Sequence, residues 1–124
     1  MSNLVLTVPL FRVSDMETAL TFYCEKLGFQ KRSEYRPHAG PEPAYVVIQR
    51  GETGLHLSSF SGDGQTGGRA VVYCDDVDTL HREFGERGVD VGPEPMDQSW
   101  GDREMYISDP DGNQLRYTQP GKKS

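Results

Sequence analysis

An internal repeat of about sixty residues narrows the fold of this chain more than any other feature. Asp15 and Asp76 each precede a stretch with helical apolar spacing, Gly28 and Gly88 each close it, and Leu55 and Leu115 occupy matching places further on. In the first half, residues 4–13 read as a strand rich in β-branched side chains. Pro9 puts that strand at a sheet edge or bends it, because proline has no N–H to give to a ladder. Asp15 is expected to cap a helix carrying Ala19, Leu20, Phe22, Tyr23 and Leu27. Gly28 supplies its stop. Residues 29–35 make a polar-leaning strand, 37–43 a breaker-rich loop, and 45–49 with 55–60 a hairpin around Arg50-Gly51-Glu52.

A glycine-rich linker without any apolar residue spans 61–68, and then the order recurs. It runs through a strand at 69–74, a helix from Asp76 with Val77, Leu80 and Phe84, and a short strand at 89–91. A loop at 92–101 contains Trp100, and a hairpin of 104–108 and 114–118 closes the half around Asp109-Pro110-Asp111-Gly112-Asn113. Each half reads βαβββ. One such half leaves a sheet with a bare face, so two are expected side by side. The predicted class is α+β: a curved mixed sheet, helices on its outer face, and an open groove on its inner face. One domain is expected over 1–124, with module one at about 4–60 and module two at about 69–119.

A chain of 124 residues is too short for two independent cores. Its 35% hydrophobic content is lean, a shortage that a partner subunit would relieve. The formal charge is −6 and no basic cluster exceeds Lys122-Lys123, which argues against a nucleic-acid surface. No apolar run approaches the ~20 residues of a membrane span. Met1-Ser2-Asn3-Leu4 lacks the basic and apolar regions of a secretory signal. Cys24 and Cys74 have no histidine close in sequence and read as small packed thiols in a reducing, cytoplasmic setting.

Two stretches carry a family likeness. Phe11-Arg12-Val13-Ser14-Asp15, followed by Phe22-Tyr23 and Leu27-Gly28-Phe29, resembles the first module of the glyoxalase/bleomycin-resistance/dioxygenase (vicinal oxygen chelate) superfamily. Trp100-Gly101-Asp102-Arg103-Glu104, followed by Asp109-Pro110-Asp111-Gly112-Asn113, resembles the end of its second module, closest to the bleomycin-resistance branch. The motif departs from that branch in having Asp102 between the Trp-Gly pair and Arg103-Glu104. The resemblance implies a homodimer with grooves completed across subunits, and Pro9 fits an N-terminal arm exchanged between them.

The resemblance also implies four equivalent positions for metal ligands, and here they fall on Val8, His56, Arg69 and Arg116. A divalent ion needs several imidazole or carboxylate donors at once. Valine has no lone pair and guanidinium has no acceptor. No metal and no cofactor are therefore expected. No nucleophile–base pair or phosphate-binding glycine motif stands out by spacing.

If the equivalence holds, His56, Arg69 and Arg116 converge on one cavity. The arginines either form an anion-accepting floor or pair with a carboxylate such as Glu104. Alternation along the strands adds Ser58, Phe60, Gln114 and Thr118 to the groove face, and Tyr45 begins a strand lining it. Trp100 is either a flat stacking wall for a planar ligand or a structural plug. His38 sits in a loop that could fold over the groove, and His81 falls on the solvent side of the second helix. Taken with the resemblance, these residues are expected to make a non-enzymatic binder that sequesters an antibiotic-like, aromatic or planar molecule. The rival is a metal-dependent glyoxalase-like lyase, thiol transferase or dioxygenase.

Overall fold

Apolar side chains alternate along the central strands, and that alternation decides which face of each sheet turns inward. The computed structural model describes residues 2–121; Met1 and the Lys122-Lys123 pair lie outside them. Module one comprises β1 (Leu10–Arg12), α1 (Met16–Leu20), β2 (Gln30–Tyr35), β3 (Tyr45–Arg50) and β4 (Thr53–Ser58). Module two comprises β5 (Arg69–Tyr73), α2 (Val77–Glu86), β6 (Met96–Asp97), β7 (Arg103–Ser108) and β8 (Gln114–Gln119). Both halves are βαβββ, and the class is α+β. Strand order is β1-β4-β3-β2 in one sheet and β5-β8-β7-β6 in the other, with β1 and β5 parallel to their neighbours and the remaining pairs antiparallel.

Leu55 and Leu57 of β4, Val46 and Ile48 of β3, Met105 and Ile107 of β7, and Leu115 and Tyr117 of β8 all turn inward. They meet Ala19 and Tyr23 from the first helix and Val77 and Phe84 from α2 in one continuous core. Phe84 packs edge-on against Tyr117, with ring centroids 5.3 Å apart. Arg50, at the β3–β4 turn, reaches across to α2 with a bidentate pair to Glu83 at 2.8 and 3.0 Å and donates to the Leu27 carbonyl.

The Asp109–Asn113 turn joins the halves. The Asp109 carboxylate accepts from the Asp111 and Asn113 N–H groups, from the Asn113 amide and from the Tyr23 hydroxyl at 2.8 Å. Asn113 also donates to the Arg12 carbonyl in β1 and accepts from the N–H groups of Gly67 and Gly68. Burial and the Asp109 charge push the Tyr23 hydroxyl far above the usual tyrosine range, so it stays a donor.

Several expectations need correction. The mixed sheet of the expected fold is laid out as two four-stranded sheets, one per module, with β1 and β5 each ending a ladder. The strand expected over 4–13 is real only at Leu10–Arg12. Leu4, Val5 and Leu6 are 86%, 97% and 81% exposed and pair with no strand among the described residues. Asp15 occupies the N-cap position but accepts from the Thr18 hydroxyl, while Glu42 takes the Met16 N–H instead. Asp76 does cap α2, accepting from the Thr79 N–H. Beyond Leu20 the first helix widens into a π-helical segment, Thr21–Lys26, in which Tyr23 is buried. Residues 89–91 form no strand; β6 lies within the expected 92–101 loop, where Met96 and Asp97 find β7 as a partner. His81 is not simply solvent-facing: its Nε2 is buried without a hydrogen-bond partner among the described residues.

Asn113→Ala is expected to lower stability by about 3 kcal/mol or more, because it strands several buried backbone groups at once. Tyr23→Phe removes one bond and should cost about 1–2 kcal/mol. Denaturant melts of both variants check the ranking, and equal small losses would show that the turn does not hold the halves together.

Candidate functional site

With one face of each sheet committed to the core, alternation turns the remaining side chains to the opposite face, where most are open but Glu104 and Thr118 are buried. In module two these are Gln114, Arg116 and Thr118 on β8, Glu104 and Tyr106 on β7, and Arg69, Val71 and Tyr73 on β5. The register sets Tyr106 beside Arg116, Glu104 beside Thr118, Val71 beside Arg116 and Arg69 beside Gln114. The Arg116 guanidinium lies over the Tyr106 ring at 4.9 Å from its centroid, a cation–π contact. The Tyr106 hydroxyl donates to Glu104 Oε1 at 3.0 Å and Thr118 Oγ1 donates to Oε2 at 3.3 Å. Its bond to Glu104, then burial, raises the Tyr106 pKa and keeps its proton in place.

In module one, Tyr45 and His56 face each other across the β3–β4 pair, Tyr45 Oη 2.7 Å from His56 Nδ1. Burial, then the nearby charge of Asp63, raises the Tyr45 pKa. Ser58 is buried and donates to Asp63 at 2.6 Å, so it is a structural hydroxyl at the start of the linker. Phe60 lies beyond the end of β4; its ring stacks on Tyr35 at 6.2 Å, and its carbonyl accepts from Arg12 Nε.

The sequence-based residues do not all meet within one chain. Val8 and His56 line one hollow of about 240 Å³ together with Gln49 and Glu52. Arg69 and Arg116 line a separate hollow of about 200 Å³ with Val71 and Gln114. Neither arginine is in an ion pair among the described residues, so Glu104 is not their carboxylate. His38 is exposed. Trp100 is 58% exposed on the β6–β7 connection, shaped by the Gln98 and Gly101 backbone bonds and by a positive φ of 102° at Gly101. A side chain that open is not a plug for the core. Sequence reasoning missed Tyr106, Met96 and Tyr73. Alternation from Glu104 and Arg69 reaches Tyr106 and Tyr73, whereas Met96 needed the unexpected strand β6.

The four positions at which a metal would sit do not suit one. Val8 carries no donor atom and Arg69 and Arg116 repel a cation, so His56 is the one metal donor of the four, too few to hold a divalent ion. Among the described residues no three His, Cys, Asp or Glu side chains gather in a way that could hold an ion. The cysteines are poor nucleophiles at neutral pH. Burial raises both thiols, Cys74 up to about 11 with the help of Asp75 and Asp76.

The family model of the Glyoxalase/Bleomycin resistance protein/Dioxygenase superfamily matches residues 5–117. The chain belongs to this superfamily. It is 24% identical to a bleomycin resistance protein of Geobacillus stearothermophilus, covering 91% of this chain and 95% of the relative. The crystal structure of TnmS3, an antibiotic binding protein from Streptomyces sp. CB03234, is similar at TM-score 0.72 and 33% identity, over 98% of this chain and 99% of that one. A bleomycin-binding protein complexed with bleomycin is similar at TM-score 0.72 and 26% identity, covering 94% and 98%. Among the described residues, no helix is long and apolar enough to cross a membrane.

Trp100→Ala is expected to lower folding stability by less than about 1 kcal/mol, as for an exposed position. A loss of about 3–5 kcal/mol, the range for a buried aromatic, would contradict the exposed placement.

Proposed function

We propose that this chain is a non-enzymatic binder that sequesters a small antibiotic-like molecule in a groove completed by a second copy of itself. One observation carries the reading. The positions that would hold a metal present Val8, Arg69 and Arg116 instead, and the surrounding face is built for contact rather than bond-making. Module two offers a cation–π pair at Arg116 and Tyr106, hydroxyl-bound Glu104 and the open ring of Tyr73; module one offers Tyr45, and Trp100 stands exposed on the β6–β7 connection. Flat aromatic surfaces favour planar ligands by about 0.5–1.5 kcal/mol per pair beyond area burial. The relatives named above, a bleomycin resistance protein and proteins that bind bleomycin or another antibiotic, support the same ligand class.

The dimer is part of this proposal. His56 and Arg116 line separate hollows in one chain, so a shared groove requires the module-one face of one copy to oppose the module-two face of another. The exposed arm at 2–9 supplies a means of joining them. Burying Leu4, Val5 and Leu6 against a partner would contribute roughly 1.5–3 kcal/mol each. The free edges of β1 and β5 offer ladder positions for it.

The test of binding uses metal-free bleomycin, an enediyne and a small aromatic compound, followed by Trp100 fluorescence and thermal melting. A true ligand at a hundred times its Kd should stabilise the protein by about 2.7 kcal/mol. Metal analysis of the protein as purified is expected to find no stoichiometric zinc, iron, nickel or manganese. Near-unit occupancy, with an activity lost on chelation, would replace this reading by the metal-dependent lyase, transferase or dioxygenase.

Sedimentation at micromolar concentration is expected to give a homodimer, and deletion of residues 2–9 should shift it toward monomer. A monomer mass at every concentration would place any groove within one chain.

A further inference from the structure

Glu104 is 6% exposed, yet no lysine, arginine or histidine pairs with it among the described residues. Arg116, the cation on the adjoining strand, lies over the Tyr106 ring instead. The carboxylate receives only two hydroxyl donors, Tyr106 and Thr118, one on each oxygen. A buried carboxylate without a cation is costly, and two neutral donors leave several of its lone-pair positions unfilled. It opens onto a hollow of about 150 Å³ at the β6–β7 end of module two, walled by Val91, Pro93, Met96, Met105 and Tyr106. Glu94 lines the same hollow, and no basic side chain does. The space suits an aminoalkyl end rather than a whole drug-sized ligand, whose sites run to ~300–1,000 Å³.

We propose that this hollow is a subsite for a protonated amine, so that the ligand taken by this chain is cationic at one end and apolar next to it. The ammonium donates to the buried Glu104 carboxylate, a charge-assisted bond stronger than one between neutral groups. The adjoining carbons pack on Met96, Val91 and Pro93, and a ring in the ligand can meet the aromatic face of Tyr106. This deepens the proposed function and rests on reading the module-two face as a ligand groove. It also assigns the ligand's charge: Arg116 is committed to stacking, and Glu104 sets the polarity of the subsite.

The experiment titrates the full chain with 2-phenylethylamine, 2-phenylethanol and phenylacetate at neutral pH, following backbone amide shifts of Met105, Tyr106 and their neighbours. The amine is expected to bind about tenfold or more tighter than the alcohol, the margin of one bond to a charged group. The carboxylate should bind least. Glu104→Gln should bring amine and alcohol within about threefold of each other. Met96→Trp, a change at an exposed position that fills the hollow, should abolish the amine response. Should Glu104→Gln not fold, the wild-type ranking and Met96→Trp decide. Equal binding of amine and alcohol, tighter binding of the carboxylate, or an amine preference unaltered by either variant would overturn the proposal. Amine selectivity without affinity for any antibiotic would overturn the sequestering function and leave the subsite standing. Antibiotic binding indifferent to Glu104→Gln would do the reverse.

Discussion

The Asp109 carboxylate and the Asn113 amide form the buried junction on which the arrangement of the two modules depends. Between them they engage the closing hairpin, the first helix through Tyr23, the carbonyl of Arg12 in β1 and the N–H groups of Gly67 and Gly68. Such a network is worth having only when nearly every member is satisfied, because an orphaned buried amide or carboxylate costs more than its bond contributes. The backbone must come very close to make it. A Cβ on Gly68 would sit 3.0 Å from the Phe11 ring, and Gly67 adopts a φ of 91°. Gly67 and Gly68 are therefore demanded by the junction, beyond the flexibility that the linker's composition suggests.

With the halves held there, each sheet has one face committed to the core and one released from it. Inward residues are almost all apolar, and Arg50 and Glu83, which reach across between β3 and α2, pair with each other. Outward residues obey a different rule. Arg69 and Arg116 have no ion-pair partner among the described residues, Glu104 has no cation, and Trp100, Tyr73 and Val71 are exposed. Unmatched charges and open aromatics on this face support the proposal that it is a ligand groove.

Much of this was legible beforehand because it rests on local chemistry. Apolar spacing at Val77, Leu80 and Phe84 marked α2, Asp76 marked its start, and the Asp-Pro-Asp-Gly-Asn run marked the turn between the last two strands. The misreadings share a cause. Val5 and Val8 favour extended backbone, yet a strand exists only where a ladder forms, and among the described residues these two join none. Val89 and Val91 suffered the same fate, while Met96 and Asp97, poor strand candidates, pair because β7 runs alongside. Asp15 stands where a cap belongs, but Glu42, distant in sequence, reaches the Met16 N–H instead. The site was half legible: alternation identified Arg116, Thr118, Gln114 and His56 as sharing faces, but parity says nothing about which faces oppose each other.

By itself the sequence determined the paired βαβββ order, the α+β class, the inward face of every central strand and the unsuitability of Val8, Arg69 and Arg116 as metal ligands. Those follow from periodicity, turn chemistry and the donor inventory of single side chains, all readable within a few residues. Only the tertiary structure decided that the strands form two sheets, that residues 2–8 join no strand among the described residues, that Arg116 rests on Tyr106, and that Glu104 is buried with hydroxyls alone. These depend on how strands pair and how side chains are placed in space, where a few ångströms separate an ion pair from a stacked cation and an unmatched carboxylate.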